Sequence, residues 1–205
     1  MSFNIRRVLF PHQGRYLEVV NDLLNLKKSN EKFKQHSILS SLAVPFQNDR
    51  HITVNIVLNS ATDVEEYLEN IYPQFVKDIA EINAKCTNIK SGVFKLIEGL
   101  ENPEAAKFFL RRVIIAKHGK RAELIKLLRE IRSAMDGSSK PGILIPMGGS
   151  SDLVQLGRQL ENFEAVDSIF ENGLSEEGAE NRARMAELSE SNMTSIHRIV
   201  SRANQ

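Results

Sequence analysis

The chain holds one cysteine, Cys86, and no tryptophan. A lone cysteine excludes an internal disulfide framework and any cysteine-based zinc cluster. A charge bias is missing too: 27 Lys and Arg stand against 26 Asp and Glu, a formal net charge of +1. Nucleic-acid binders need a basic excess or a clustered basic face, so no nucleic-acid partner is expected. The pairs Lys27-Lys28 and Arg111-Arg112 read as solvated helix faces or strand edges. No run approaches the roughly 18 apolar residues of a membrane span, so no membrane partner is expected either. Met1-Ser2-Phe3-Asn4-Ile5-Arg6-Arg7 has no apolar signal region, and Asn192-Met193-Thr194 is a glycosylation sequon without a secretion signal. A cytoplasmic location is the expectation. What is present is enough to build a core: 205 residues, 41% of them hydrophobic.

The chain also says nearly the same thing twice. Arg6-Arg7-Val8-Leu9-Phe10, followed by Gly14 and Glu18, returns 105 residues later as Arg111-Arg112-Val113-Ile114-Ile115, followed by Gly119 and Glu123. Six of the 19 positions from Arg6 to Leu24 are identical to their counterparts from Arg111 to Arg129. Unrelated windows share about one in that length, so a duplicated folding unit is the reading. Each copy opens on a β-rich run, Ile5 to Phe10 or Phe109 to Ala116, then a glycine turn. A helix follows with apolar stripes at Val19, Leu23, Leu26 and at Leu124, Leu128, Ile131. Two extended runs come next, Ser37 to Val44 with His51 to Leu58, and Gly142 to Gly149 with Leu153 to Leu160; the first pair turns at Gln47-Asn48-Asp49. Helical segments around 63–85 and 165–188 precede closing strands at Gly92 to Ile97 and Ser195 to Val200. The order is β-α-β-β-α-β, twice, with a polar joint at Glu101-Asn102-Pro103-Glu104.

Such a unit makes a four-stranded antiparallel sheet with both helices on one face. The strands carry successive apolar residues, as in Val113-Ile114-Ile115-Ala116, which predicts burial on both faces. The expected fold is therefore α+β: two tandem ferredoxin-like repeats, residues 1–100 and 106–205, packed sheet to sheet as an intrachain α/β barrel. Two independent ferredoxin-like domains are the alternative.

Arg112-Val113-Ile114-Ile115-Ala116-Lys117-His118-Gly119-Lys120-Arg121-Ala122-Glu123-Leu124 resembles the NIPSNAP-like and antibiotic biosynthesis monooxygenase-like members of the dimeric α/β-barrel superfamily. So does Leu160-Glu161-Asn162-Phe163-Glu164-Ala165-Val166-Asp167, and the first half matches in the same places. The resemblance covers most of the chain as architecture and rests on a turn glycine and core positions. It implies a barrel with a central cavity. The superfamily includes cofactor-free oxygenases, isomerases, haem proteins and ligand-sensing modules, and fold analogy does not choose among them. The missing tryptophan removes one aromatic associated with its haem-degrading members.

Five histidines are present, none in H-x-x-x-H or H-E-x-x-H spacing, so no metal site is expected. His197 lies mid-strand where the first half has Phe94; facing inward, it would be a titratable group in an apolar cavity and a candidate catalytic base. An outward-facing or hydrogen-bonded role is the alternative. One Arg of each first-strand pair points toward the other sheet, and Arg7 and Arg112 are the ligand-binding candidates, able to clamp an anion. A charged strand end paired with Glu98 is the competing reading. Arg158, which interrupts Leu156-Arg158-Leu160, and Asn55, between Val54 and Ile56, complete the candidate ligand set. Gly148-Gly149-Ser150-Ser151 reads as a hairpin turn rather than a phosphate loop, and Cys86 as packing.

Two functions stay open. One is a cofactor-independent oxygenase or isomerase acting on a small organic molecule, with His197 removing a proton or an Arg stabilising an oxyanion. The other is a non-catalytic small-ligand-binding or protein-interaction module. No cofactor is expected, haem on His197 being the alternative; a homodimer is compatible with either function.

Overall fold

A computed structural model describes residues 2–42, 50–101, 104–135 and 139–204. The expected turn at Gln47-Asn48-Asp49 and the Asn102-Pro103 part of the joint lie outside the described residues. The chain divides into two compact units: Met1–Lys95 with Arg198–Gln205, and Leu96–His197.

Unit 1 runs β1 (Phe3–Pro11), α1 (Tyr16–Ser29), a 3-10 turn (Phe33–Gln35), β2 (Ser37–Ser41), β3 (Ile52–Leu58), α2 (Ala61–Glu66), α3 (Val76–Asn83) and β4 (Cys86–Glu98). A π turn, Tyr67–Ile71, and a 3-10 turn, Tyr72–Phe75, join α2 to α3. Its sheet is antiparallel in the order β4-β1-β3-β2. The chain leaves β1 through Gly14 at φ 81°, a left-handed conformation that only glycine adopts without strain. The helix α2 starts on a capping box, with Ser60 accepting from the Asp63 amide and Asp63 from the Ser60 amide. Alternation then sorts the strands. Leu9, Ile52, Val54, Ile56 and Leu58 pack with Val19, Leu23, Ile79 and Ile82 of the helices into one core.

Unit 2 repeats the sequence of elements: β5 (Phe108–Ala116), α4 (Arg121–Ala134), β6 (Gly142–Pro146), β7 (Leu153–Leu160), α5 (Phe163–Leu174), α6 (Glu176–Leu188) and β8 (Ser189–Ser201), the last strand belonging to it as far as His197. The strand order is β8-β5-β7-β6, with β7 antiparallel to β5 and β6. Gly119, at φ 76°, stands where Gly14 stands in unit 1. Ile114, Ala116, Ile143 and Val154 pack on Leu124, Leu127, Leu128 and Met185 of the helices.

Both closing strands are 13 residues long, twice what apolar alternation alone marks out. Polar Asn88, Lys90 and Ser91 still pair with Phe10, Val8 and Arg7 of β1, so tertiary pairing overrides weak local propensity.

The second face of each sheet is buried as well, but by polar residues. Asn4, Arg6, Thr53 and Asn55 in unit 1, and Arg111, Gln155 and His197 in unit 2, are all buried. The residues that alternate with the helix-side core are therefore where buried titratable and hydrogen-bonding side chains gather.

Candidate functional site

In unit 1, β1 sets Arg6 directly opposite Asn55 of β3 and Gly92 of β4. The Arg6 Nε donates to Asn55 Oδ1 at 3.0 Å, and a terminal nitrogen donates to Asn4 Oδ1 at 3.2 Å. The guanidinium lies over the Phe94 ring, 4.5 Å from its centroid. Gly92 leaves room for that ring: a Cβ there would stand 3.3 Å from Phe94. A cation stacked on an aromatic and steered by two carboxamides is a planar, oriented donor.

Unit 2 carries the related but different cluster. Arg111 of β5 faces Gly157 of β7, and Phe109 lies over that glycine, whose added Cβ would approach the ring to 2.7 Å. The guanidinium carbon of Arg111 is 5.8 Å from the Phe109 centroid. His197 of β8 meets the same ring edge-on at 6.3 Å. Its Nε2 and the Ser195 Oγ are 2.9 Å apart. Burial pushes the Arg111 guanidinium down to about 10, which leaves it charged at neutral pH. The aromatic has changed strands between the units: Phe94 on the closing strand of unit 1, Phe109 on the first strand of unit 2. His197 takes the place of Phe94, and Ser195 that of Gly92.

Asn55 thus joins Arg6, and His197 joins Ser195 and Phe109. The remaining candidates lie on the helix-facing sides. Arg7 donates to Tyr72 Oη at 2.6 Å and to Asn83 Oδ1 at 3.1 Å. It lines a cavity of about 10 Å³ with His36, Tyr67, Tyr72 and Phe75, room for one water and not for an organic ligand. Arg112 donates to Asn192 Oδ1 at 3.0 Å, and burial together with nearby Arg182 lowers its pKa. Arg158 has its Nε 3.4 Å from Ser139 Oγ and is likewise lowered by burial. Glu98, considered as a partner for the strand arginines, accepts from Arg129 at 2.7 Å. His118 is a surface residue whose side chain is 98% exposed, 3.7 Å from Asp152. Cys86 is half-buried, and burial raises its thiol pKa. Among the described residues no group of three or more His, Cys, Asp and Glu gathers as a metal site, and no helix is long and apolar enough to cross a membrane.

Arg6, Arg111, Phe109 and Ser195 are the site residues that sequence reasoning passed over. Alternation held their signal: Ser195 is two residues from His197 on one strand, and Asn55 faces β1 at Arg6.

The same fold is seen in solved structures of an anthrone oxidase-like protein, of monooxygenase candidates and of a chlorite dismutase candidate. An anthrone oxidase-like protein superposes with a TM-score of 0.68 at 10% identity, over 99% of this chain and 93% of the other. A candidate monooxygenase from Fusobacterium nucleatum gives 0.66 at 11% identity, over 98% and 93%. A chlorite dismutase from Candidatus Nitrospira defluvii, in complex with imidazole, gives 0.53 at 10% identity, over 97% and 90%. No protein-family model matches the sequence, and no curated protein matches it. Identity this low speaks for the fold and not for the reaction.

Proposed function

We propose that the chain is a cofactor-independent enzyme of the oxygenase or isomerase kind, acting on a small conjugated organic molecule that carries an acidic proton. The observation behind it is the pair His197 and Ser195, an imidazole hydrogen-bonded to a hydroxyl on a sheet face that also carries buried Arg111 and Gln155. In that setting His197 accepts the substrate's proton relayed through the half-buried Ser195 hydroxyl, and the Arg111 cation stabilises the anion left behind. An electron-rich carbanion then reacts with dioxygen or is reprotonated elsewhere. The fold held in common with anthrone oxidase-like and candidate monooxygenase proteins is compatible with oxygenase-like chemistry. The tandem ferredoxin-like duplication, the sheet-to-sheet barrel, the cytoplasmic location and the homodimer expected from the sequence belong to the same proposal.

Haem on His197, the remaining alternative, would require the imidazole to give up its Ser195 contact and to open to the surface, since the residue has no exposed area. The same complete burial supports the second reading, a non-catalytic module in which His197 only packs.

Oxygen uptake with anthrones and related phenols separates the two. His197→Phe, which copies Phe94 of unit 1, is expected to fold and to lose at least ~100-fold in turnover, the usual contribution of a general base. Unchanged turnover in that variant removes His197 from the reaction; no uptake or isomerisation with any of these compounds in the native protein favours the module.

A further inference from the structure

His197 is 0% exposed, so nothing arriving from outside reaches its ring directly. Ser195 is only half-buried, and its hydroxyl is 2.9 Å from His197 Nε2. Two residues apart on one strand, the pair shares a sheet face, and the strand's stiffness holds the hydrogen bond in place. Packing against the Phe109 edge holds the imidazole from the other side. Unit 1 has neither group at the matching positions, Gly92 and Phe94, so the pairing belongs to unit 2.

We propose that Ser195 is a base-activated nucleophile, the reactive contact of this site, and that it accepts an acyl or phosphonyl group from an electrophilic ligand. This rests on the reading of His197 as a base. The Ser195 Oγ forms a bond to the electrophilic carbon or phosphorus, the bond to the leaving group breaks, and the hydroxyl proton passes to His197 Nε2. That proton is then available to the departing group. Arg111 supplies the fixed positive charge on the same face.

The test uses the whole protein and an alkyl fluorophosphonate, with adducts counted by intact mass and located by peptide mapping. In this case the Oγ–P bond forms, the P–F bond breaks and fluoride leaves. One adduct per chain, on Ser195, is expected. It disappears in Ser195→Ala and forms about 100-fold more slowly in His197→Gln, the loss of a general base. His197→Phe gives the same reading through a side chain already accommodated at the matching place in unit 1, and circular dichroism checks each variant's fold. No adduct, an adduct on other residues only, or labelling of Ser195 at the native rate without His197 overturns the proposal. Lost turnover in His197→Phe without any labelling leaves the enzyme reading standing and removes this one. Labelling with no turnover on any trial compound does the reverse.

Discussion

His36 shows how much one buried residue can make stability depend on pH. It is 3% exposed, stacked on Phe33 at 4.4 Å, with Nδ1 3.0 Å from the Phe33 carbonyl oxygen and Nε2 2.9 Å from Tyr67 Oη. Burial pushes its pKa down to about 4, with the Lys27 charge adding to that and the Phe33 carbonyl opposing it. The unfolded chain takes up this proton near the ordinary value of about 6.5. Between those values the unfolded state binds more protons, so stability is complete above about pH 6.5 and falls as pH drops toward 4. The expected loss is up to about 3 kcal/mol. Urea unfolding at pH 7 and pH 4.5 measures it, and His36→Gln should flatten the slope across that window. An unchanged slope in His36→Gln would assign the acid sensitivity to other groups.

At the scale of elements, strand register decides which side chains meet, and here the sequence was legible only in part. The order of strands and helices followed from periodicity and the offset repeat, because hydrophobic spacing reports each element by itself. Which arginine of each pair faces the polar side depends on alternation counted from a known partner, and a slip of one residue exchanges the faces. Arg7 and Arg112 stood out as candidates, while the residues clustered with Asn55 and Phe109 are Arg6 and Arg111. The polar first halves of β4 and β8 were illegible for a different reason: their pairing to other strands, not their own composition, makes them extended. Gly157 shows what such pairing demands. Its added Cβ would lie 2.7 Å from the tip of the Phe109 ring, and Phe109 is itself packed against His197. Gly157→Ala is therefore expected to cost about 1–3 kcal/mol by overpacking, read as a lower urea midpoint at constant slope. A midpoint equal to the native one would mean that Phe109 swings aside freely and does not brace the imidazole.

On the scale of the whole chain, residues 198–205 belong with the first half of the sequence, since Arg198–Gln205 is part of unit 1. Lys27 makes one of the contacts that tie this segment to unit 1. The residue is 3% exposed, and its ammonium donates to the His36 carbonyl oxygen at 2.5 Å and to the Arg202 carbonyl oxygen. Burial pushes Lys27 down to about 8, so it remains charged at neutral pH and needs those acceptors. The Asn204 amide adds a bond to the Lys34 carbonyl oxygen at 2.7 Å. Removing residues 202–205 takes one of the acceptors from a buried charge, a loss of about 1.5–3 kcal/mol by the usual worth of a charged hydrogen bond. The truncated chain should melt several degrees lower at pH 7. Lys27→Met, which replaces the ammonium with an apolar group of similar length, should recover most of that difference in the truncated background. If it recovers none, the missing stability comes from lost packing of the last residues rather than from the charge left behind, and the Lys27 contact is incidental to holding the chain end in unit 1.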